Sequence, residues 1–455
     1  MPTSLLCVFE GVRYDRAVLR RVTLILGVAA GLLLASAPPA SAVQPYLLNF
    51  QTVDFTAGTL NGLALSGGEL KLASNGGSFT YADPFSSLAV LGHQVDGSGD
   101  YVSGTWTSPV YSMNFPFNEL VSSWNSKTPP GTWIQSEVKP QIDNGHWAKW
   151  YILGRWTYND FVDGSSDPGF HRTSVGGQGD ADGFVAIDTF FAKDHPAVAY
   201  QLRLTIFRRV GLTDAQAPVR VSRYSAVASN LRNQQSTFPS QTDMNHETID
   251  LDVTRFSQET HHGEYPEFDN GGEAWCSPTS TAMVVNYWTR VTHTQYAPTT
   301  AETSWVNPDF ADPEVDHTAR YVYDYHYQGA GNWPFNTAYA AERGLVSDVT
   351  QLHNLREAEP FIRARIPLVA SVAWQPNKLE GADIKSTNGH LMVIGGFTGD
   401  GDVIAYDPAS PSNQAVRHVY DREQFEKAWI PASGGIVYVD RPAGWYTPPL
   451  TANNN

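Results

Sequence analysis

The chain is 455 residues long, more than one ordinary hydrophobic core organises, so two domains are the default. Its 42% hydrophobic and 17% charged content is that of a globular protein and excludes a disordered one. Lys and Arg number 30 against 46 Asp and Glu, a formal charge of −16 that argues against nucleic acid or anionic lipid as partner.

Residues 1–42 read as a secretory signal peptide, so the protein is expected outside the cell. Arg13, Arg16, Arg20 and Arg21 form a basic start, Val22 to Ala35 is an apolar run, and Ala40-Ser41-Ala42 is a small-x-small cleavage site. The apolar run is too short to span a bilayer, and no later stretch reaches about 18 apolar residues. No membrane span is therefore expected. Arg20-Arg21 leaves the general secretory and twin-arginine routes both open. Cleavage removes four arginines and two acids, taking the charge from −16 to −18. It also removes Cys7, so Cys276 is the one cysteine of the mature chain. An unpaired cysteine in an exported protein is either a reactive thiol or a small buried hydrophobe.

Residues 43–225 read as an all-β domain, a sandwich of jelly-roll type. Val198, Tyr200, Leu202, Leu204 and Ile206 alternate with Ala199, Gln201, Arg203 and Thr205 at a period of two. Gly104–Tyr111, Gly131–Val138, Trp147–Trp156 and Gly183–Phe190 are further strand candidates. Turn clusters such as Thr128-Pro129-Pro130-Gly131 and Asp163-Gly164-Ser165 separate them. Trp106, Trp124, Trp133, Trp147, Trp150 and Trp156 fill the space between sheets or offer faces to sugar rings or peptides. Asp180-Ala181-Asp182-Gly183 reads as a turn, because the other ligands of a calcium loop do not follow it.

A polar stretch with no apolar period (Asn230, Asn233, Gln234, Gln235, Ser236) places a linker over 226–247. Residues 248–441 then change to an α+β pattern, with a tail over 442–455. Helices are expected from Cys276, over Pro313–Tyr327, over Trp333–Arg343 and over Leu355–Ala364. Strands are expected over Pro367–Trp374, His390–Phe397, Val403–Asp407 and Gly435–Val439.

The chemistry centres on Gly271-Gly272-Glu273-Ala274-Trp275-Cys276-Ser277-Pro278. A cysteine opening a helix meets unsatisfied N–H groups and the positive end of the dipole, both of which favour thiolate. Gly389-His390 starts an apolar strand, and Asp407 ends the next one across a short loop, Thr398 to Asp402. In such a hairpin His390 and Asp407 face each other, so the carboxylate can fix the imidazole tautomer. The alternative is a capped strand end or a turn aspartate before Pro408. Gln258 offers a side-chain amide that, with the Cys276 N–H, can make an oxyanion hole; by spacing alone it is equally a surface glutamine.

Ser257-Gln258 ahead of Gly-Gly-Glu-x-Trp-Cys-Ser-Pro-Thr-Ser, a later Gly-His strand and an Asp-Pro on the following one resemble cysteine peptidase family thirty-nine. That family is the bacteriocin-processing type of the papain-like superfamily, and the likeness is closest to its secreted, free-standing actinobacterial branch. The resemblance spans 248–441 and implies a papain-like fold. It assigns Cys276 as nucleophile, His390 as base, Asp407 as orienter and Gln258 as oxyanion donor. Gly331-Asn332-Trp333-Pro334 also looks like that branch, and with Trp275 it puts Asn332 and Trp333 beside the substrate. The 18 residues from Gln258 to Cys276 exceed the usual interval. His261-His262-Gly263 to Asn270 is the apparent insertion, which either shapes the cleft or displaces Gln258 from its role.

The reading is a cysteine peptidase, a thiol hydrolase cutting peptide or isopeptide bonds through an acyl-enzyme and acting as a monomer. Its partner is a peptide or protein substrate, cell-wall peptide included. The same groups serve amidases and acyl transfer, and no cofactor is expected. His261 and His262 hint at a metal, but no further ligand cluster stands near them in sequence, so none is expected. The alternative is a carbohydrate- or cell-wall-binding protein with an inactive peptidase-like domain.

Overall fold

The computed structural model describes residues 46–162, 167–230 and 239–450. The expected leader, the Asp163-Gly164-Ser165 turn and residues 231–238 of the expected linker lie outside them.

The N-terminal half is strand-rich. Four long strands carry it: β1 (Glu119–Lys127), β2 (Thr132–Ile142), β3 (Ala197–Arg209) and β4 (Arg220–Ser229). β1 and β4 pair at the centre of one seven-stranded sheet, and β2 and β3 at the centre of a second. All their pairings are antiparallel. The period of two works as expected along β3, where Leu202, Leu204 and Ile206 are fully buried. The sheets touch through Ser136 of β2, whose hydroxyl meets those of Ser122 (2.8 Å) on β1 and Tyr224 (2.7 Å) on β4.

Three expectations shift here. The Gly104–Tyr111 stretch belongs to two strands, Gly99–Thr107 and Tyr111–Phe117, which part around Pro109, where a backbone donor is missing. Gly183–Phe190 divides at Ile187, which takes a left-handed φ of 57°. β4 runs to Ser229, four residues past the predicted domain edge, because it lies between β1 and the strand Leu48–Thr52. Trp106, Trp124, Trp133 and Trp156 are buried, while Trp147 and Trp150 are half-buried. Their faces meet cations of this chain, Lys139 over Trp147 and Arg203 over Trp150. Asp180 closes a turn, accepting from the N–H groups of Asp182 (3.0 Å) and Gly183 (3.2 Å).

The C-terminal half follows as α1 (Cys276–Thr292), α2 (Pro313–Val322), α3 (Trp333–Glu342), β5 (Val346–Gln351), α4 (Leu355–Arg363), β6 (Leu368–Trp374), β7 (Thr387–Phe397), β8 (Val403–Tyr406), β9 (Arg417–Tyr420), α5 (Arg422–Ser433) and β10 (Ile436–Arg441). The sheet order is β5-β10-β6-β7-β8-β9, antiparallel throughout, with Ile249–Asp250 also pairing on β7. α2 stops at Val322, short of the predicted Tyr327. Asp324 captures the next backbone donors, accepting from His326 (3.1 Å) and Tyr327 (3.2 Å), and such side-chain turns compete with helix. β5, β9 and α5 were not predicted. The tail is packed as far as residue 450: Trp445 donates to the Ala364 carbonyl (2.8 Å) and meets Trp288 edge-on.

β5 is an edge strand, and the N-terminal half covers it. Asn125 of β1 donates to the Ser347 carbonyl and accepts from the Ser347 N–H (3.1 Å), and Ser123 accepts from Val349 N–H (3.1 Å). Side chains of one sheet thereby satisfy an edge that would otherwise template aggregation. Asp348 reaches back to Arg223 and Ser225 of β4, both at 2.7 Å. Farther along, Arg320 of α2 makes a two-point pair with Asp160 (2.7 and 3.1 Å).

Buried carboxyls at and near this seam give stability a definite pH dependence. Burial, reinforced by Asp188, pushes Glu119 up to about 8. Burial likewise pushes Asp188, Glu342 and Asp440 each up to about 7. Unfolded, these carboxyls titrate near 4, so between about pH 4 and 8 the folded state holds protons the unfolded chain releases. Their stabilisation is complete below about pH 4 and is lost as pH rises through 7–8. The melting temperature is therefore expected to fall from pH 5 to pH 8, and Glu119→Gln to flatten the slope. A scan that rises over this range contradicts the assignment.

Candidate active site

The approach to Cys276 begins at Gln258. Ser257 caps the turn Gln258–His261, accepting from Glu259 N–H (3.2 Å), and its hydroxyl donates to the Ser410 carbonyl. The Gln258 N–H donates to the Pro408 carbonyl at 2.8 Å. These bonds tie the turn to the residues just after Asp407. The Gln258 side chain then reaches forward, its Nε2 donating to the Glu273 carbonyl (2.8 Å), three residues before the cysteine. The Gly-Gly pair makes this possible. Gly271 takes a φ of 99°, and a Cβ on Gly272 would stand 2.2 Å from the Gln258 carbonyl oxygen.

α1 starts at Cys276 with no side-chain cap, so its first amides are free of that competitor. Two hydroxyls fix the helix start: Ser277 meets Tyr438 of β10 (2.9 Å), and Ser280 donates to the Leu391 carbonyl of β7 (3.1 Å). The second bond lays the first turn of α1 against the residue after His390. Cys276 is 1% and His390 2% exposed.

His390 and Asp407 meet as the hairpin argument required. Imidazole Nε2 donates to Asp407 Oδ1 at 2.7 Å, which leaves Nδ1 as the other ring nitrogen. Asp407 is fully buried and also accepts from Ala409 N–H (3.0 Å) and the Tyr420 hydroxyl (2.9 Å). Burial pushes its carboxyl up, but the His390 charge and these three hydrogen bonds hold it below the usual range.

Tyr420 escaped the sequence reading because β9 did. Its ring stacks on His418, with centroids 5.3 Å apart. Tyr420→Phe removes one donor from a buried anion, at a cost of about 1.5–3 kcal/mol of stability. The Asp407 carboxyl then rises, so the acid limb of the pH–kcat/KM profile is expected to move to higher pH. An unmoved limb would make Tyr420 a packing residue only.

Trp374 of β6 sets its ring edge against His390, 5.8 Å between centroids. A cavity of about 420 Å³ opens beside it, lined by Trp374, Gln375, Lys378, Asn388 and Lys427.

The residues expected beside substrate differ in placement. Trp275 is fully buried, donates to the Phe268 carbonyl and faces His261. Asn332 is fully buried as the cap of α3, accepting from Phe335 N–H (3.1 Å) and donating to Asp324 (2.9 Å). Half-buried Trp333 stands next to it, its N–H on Asp188 (2.8 Å). Trp275 and Asn332 thus serve the core and the seam, not an open surface. A tryptophan before a buried helix and an Asn-x-Pro helix start carry those structural jobs in the sequence itself.

The expectation that His261 lacks a ligand cluster is also corrected. Folding brings Asp316 of α2 to it, beside Glu264 three residues along the chain. His262 lies outside that group, exposed and paired with Glu273 (2.7 Å).

Among the described residues no helix is long and apolar enough to cross a membrane.

Residues 48–229 match the family model described as Peptidase C39 N-terminal domain, and residues 250–437 that of the Peptidase C39-like family. No curated protein matches the chain. Among solved structures it is similar to a putative C39-like peptidase from Bacillus anthracis, at 15% identity and a TM-score of 0.25, over 42% of this chain and 97% of that one. The two family matches together take in most of the chain, which belongs to the C39-like peptidase family, in the actinobacterial branch that carries this N-terminal domain.

Proposed function

We propose that the protein is an active cysteine peptidase in which Cys276 attacks a peptide or isopeptide carbonyl. The observation that carries the reading is the buried His390–Asp407 pair at 2.7 Å, on the strand against which the first turn of α1 is bonded. His390 takes the Cys276 proton through Nδ1, and the thiolate adds to the carbonyl carbon. The oxyanion forms between the Cys276 N–H and the Gln258 amide, whose Nε2 gives one hydrogen to the Glu273 carbonyl (2.8 Å) and turns the other from its longer bond to Glu259 Oε1 (3.3 Å) toward the oxyanion. Collapse breaks the C–N bond, and His390 returns the proton to the leaving amine. Water, deprotonated by His390, then hydrolyses the thioester. Substrate enters by the cavity at Trp374 and Asn388, where Lys378 and Lys427 favour a carboxylate-bearing chain.

From the leader-like first 42 residues we infer that this chemistry takes place outside the cell. The two N-terminal sheets form a sandwich whose service is to cover β5, and it acts with the peptidase half as a monomer. The burial of four of the six tryptophans leaves the carbohydrate-binding alternative little surface to use. The test is acid quenching of the protein mixed with unfolded protein and with cross-linked wall peptides, followed by mass spectrometry of the Cys276 peptide. An acyl adduct together with released amine supports the reading. Neither adduct nor amine from any of these substrates overturns it.

A further inference from the structure

We propose that His261, Glu264 and Asp316 bind a divalent cation of the zinc class. His261 ends the turn that Gln258 begins, Glu264 lies in the segment between it and Gly271, and Asp316 sits in the first turn of α2. The side chains of His261 and Asp316 are fully buried and that of Glu264 is 9% exposed. Their ligand atoms all lie within 4.8 Å of one another.

His261 Nδ1 stands 2.7 Å from Glu264 Oε2 and 3.3 Å from Asp316 Oδ2. A ring nitrogen carries at most one hydrogen, and the shorter bond to Glu264 takes it. Asp316 is left fully buried with neither oxygen accepting a hydrogen bond. An ionised carboxylate in that condition is costly. A dication in place of the shared proton changes the balance. Two carboxylates and a neutral imidazole then match its charge, and Asp316 gains a cation as partner through Oδ2.

The spacing suits this. Ligands about 2.0–2.1 Å from a tetrahedral zinc stand roughly 3.3–3.4 Å apart. Nδ1 and Asp316 Oδ2 already have that separation, and Glu264 reaches it by retreating about half an ångström. One imidazole with two carboxylates suits zinc better than calcium, which prefers oxygen ligands only. The ion would pin the insertion between Gln258 and Cys276 to α2, and so hold the turn that carries Gln258.

The experiment uses the whole chain, stripped with EDTA, dialysed against Zn²⁺, Co²⁺ or Ca²⁺ and analysed for bound metal by plasma mass spectrometry. One zinc per chain is expected, with a higher melting temperature than the stripped protein and tetrahedral visible absorption for the cobalt form. Calcium should not be retained. Asp316→Asn and Glu264→Gln should each weaken zinc by more than the ~10–100-fold typical of an outer-shell change. If Asp316→Asn does not fold, the partly exposed Glu264→Gln decides. Less than about 0.1 zinc per chain, or a full equivalent held as tightly by Glu264→Gln, overturns the assignment and leaves a buried imidazolium between two carboxylates. Metal content is read without substrate, so this result and the fate of the peptidase reading stay separate.

Discussion

His390→Ala is expected to lower turnover by at least ~10⁴-fold while the protein stays folded. The imidazole serves twice in the proposed cycle, as base toward the thiol and as acid toward the leaving amine, and among the described residues no second histidine bonds Asp407. Asp407→Ala should follow with a smaller loss, roughly 10²–10⁴-fold, because it acts by holding the ring. The order of the two losses matters as much as their size. A His390 variant that keeps more than a tenth of the activity would show that another group does the proton transfer. The measurement is kcat/KM on the first substrate to give an acyl adduct, with circular dichroism as the check on folding.

Asp348→Ala is expected to cost about 3–5 kcal/mol. This carboxylate is fully buried on β5 and joins two residues across the seam and one on the neighbouring β10. Oδ1 accepts from Arg223 and Ser225 at 2.7 Å, and Oδ2 from Arg441 at 3.0 Å. Truncation leaves the buried Arg441 guanidinium without its carboxylate and loosens β5 from the strands that cover its edge. Guanidinium unfolding of the full chain reads the effect. A loss below about 1 kcal/mol, the size of an exposed pair, would mean that the two halves hold together without this contact.

The same seam explains what the sequence concealed. The groups of the candidate site were legible because each had a local signature. Cys276 opens an apolar helix behind Gly-Gly, His390 opens an apolar strand behind glycine, and Asp407 closes the next strand before proline. The hairpin between the last two follows from a short loop and a period of two. β5 had no such signature. Four of the six residues of Val-Ser-Asp-Val-Thr-Gln are polar, and its Ser347, Asp348 and Gln351 make sense only against Asn125, Arg223 and Glu119 of the other half. Tertiary partners decided it, as they often do for strands. α5 was hidden by Pro431 inside its last turn, and with β9 went Tyr420. The end of β4 was missed because Ser-Ala-Val-Ala-Ser looks like the start of a linker until it is seen between two strands.

The metal ligands illustrate the same limit. His261 was noticed, and Glu264 is only three residues away, but Asp316 arrives from a different helix. Gln258 lies between the two kinds of case. Its type and order were readable, while its grip on the Glu273 carbonyl depends on a glycine that admits no Cβ.

The central claim is that Cys276 reacts as a thiolate paired with His390, and alkylation tests it with no substrate. After residue 42 it is the one cysteine in the chain, so iodoacetamide uptake followed by mass spectrometry from pH 4 to pH 10 reports on it alone. Labelling is expected to be fast below about pH 7 and to collapse in His390→Ala. Labelling only above about pH 8, at the same rate in both proteins, is the behaviour of an ordinary thiol and would contradict it.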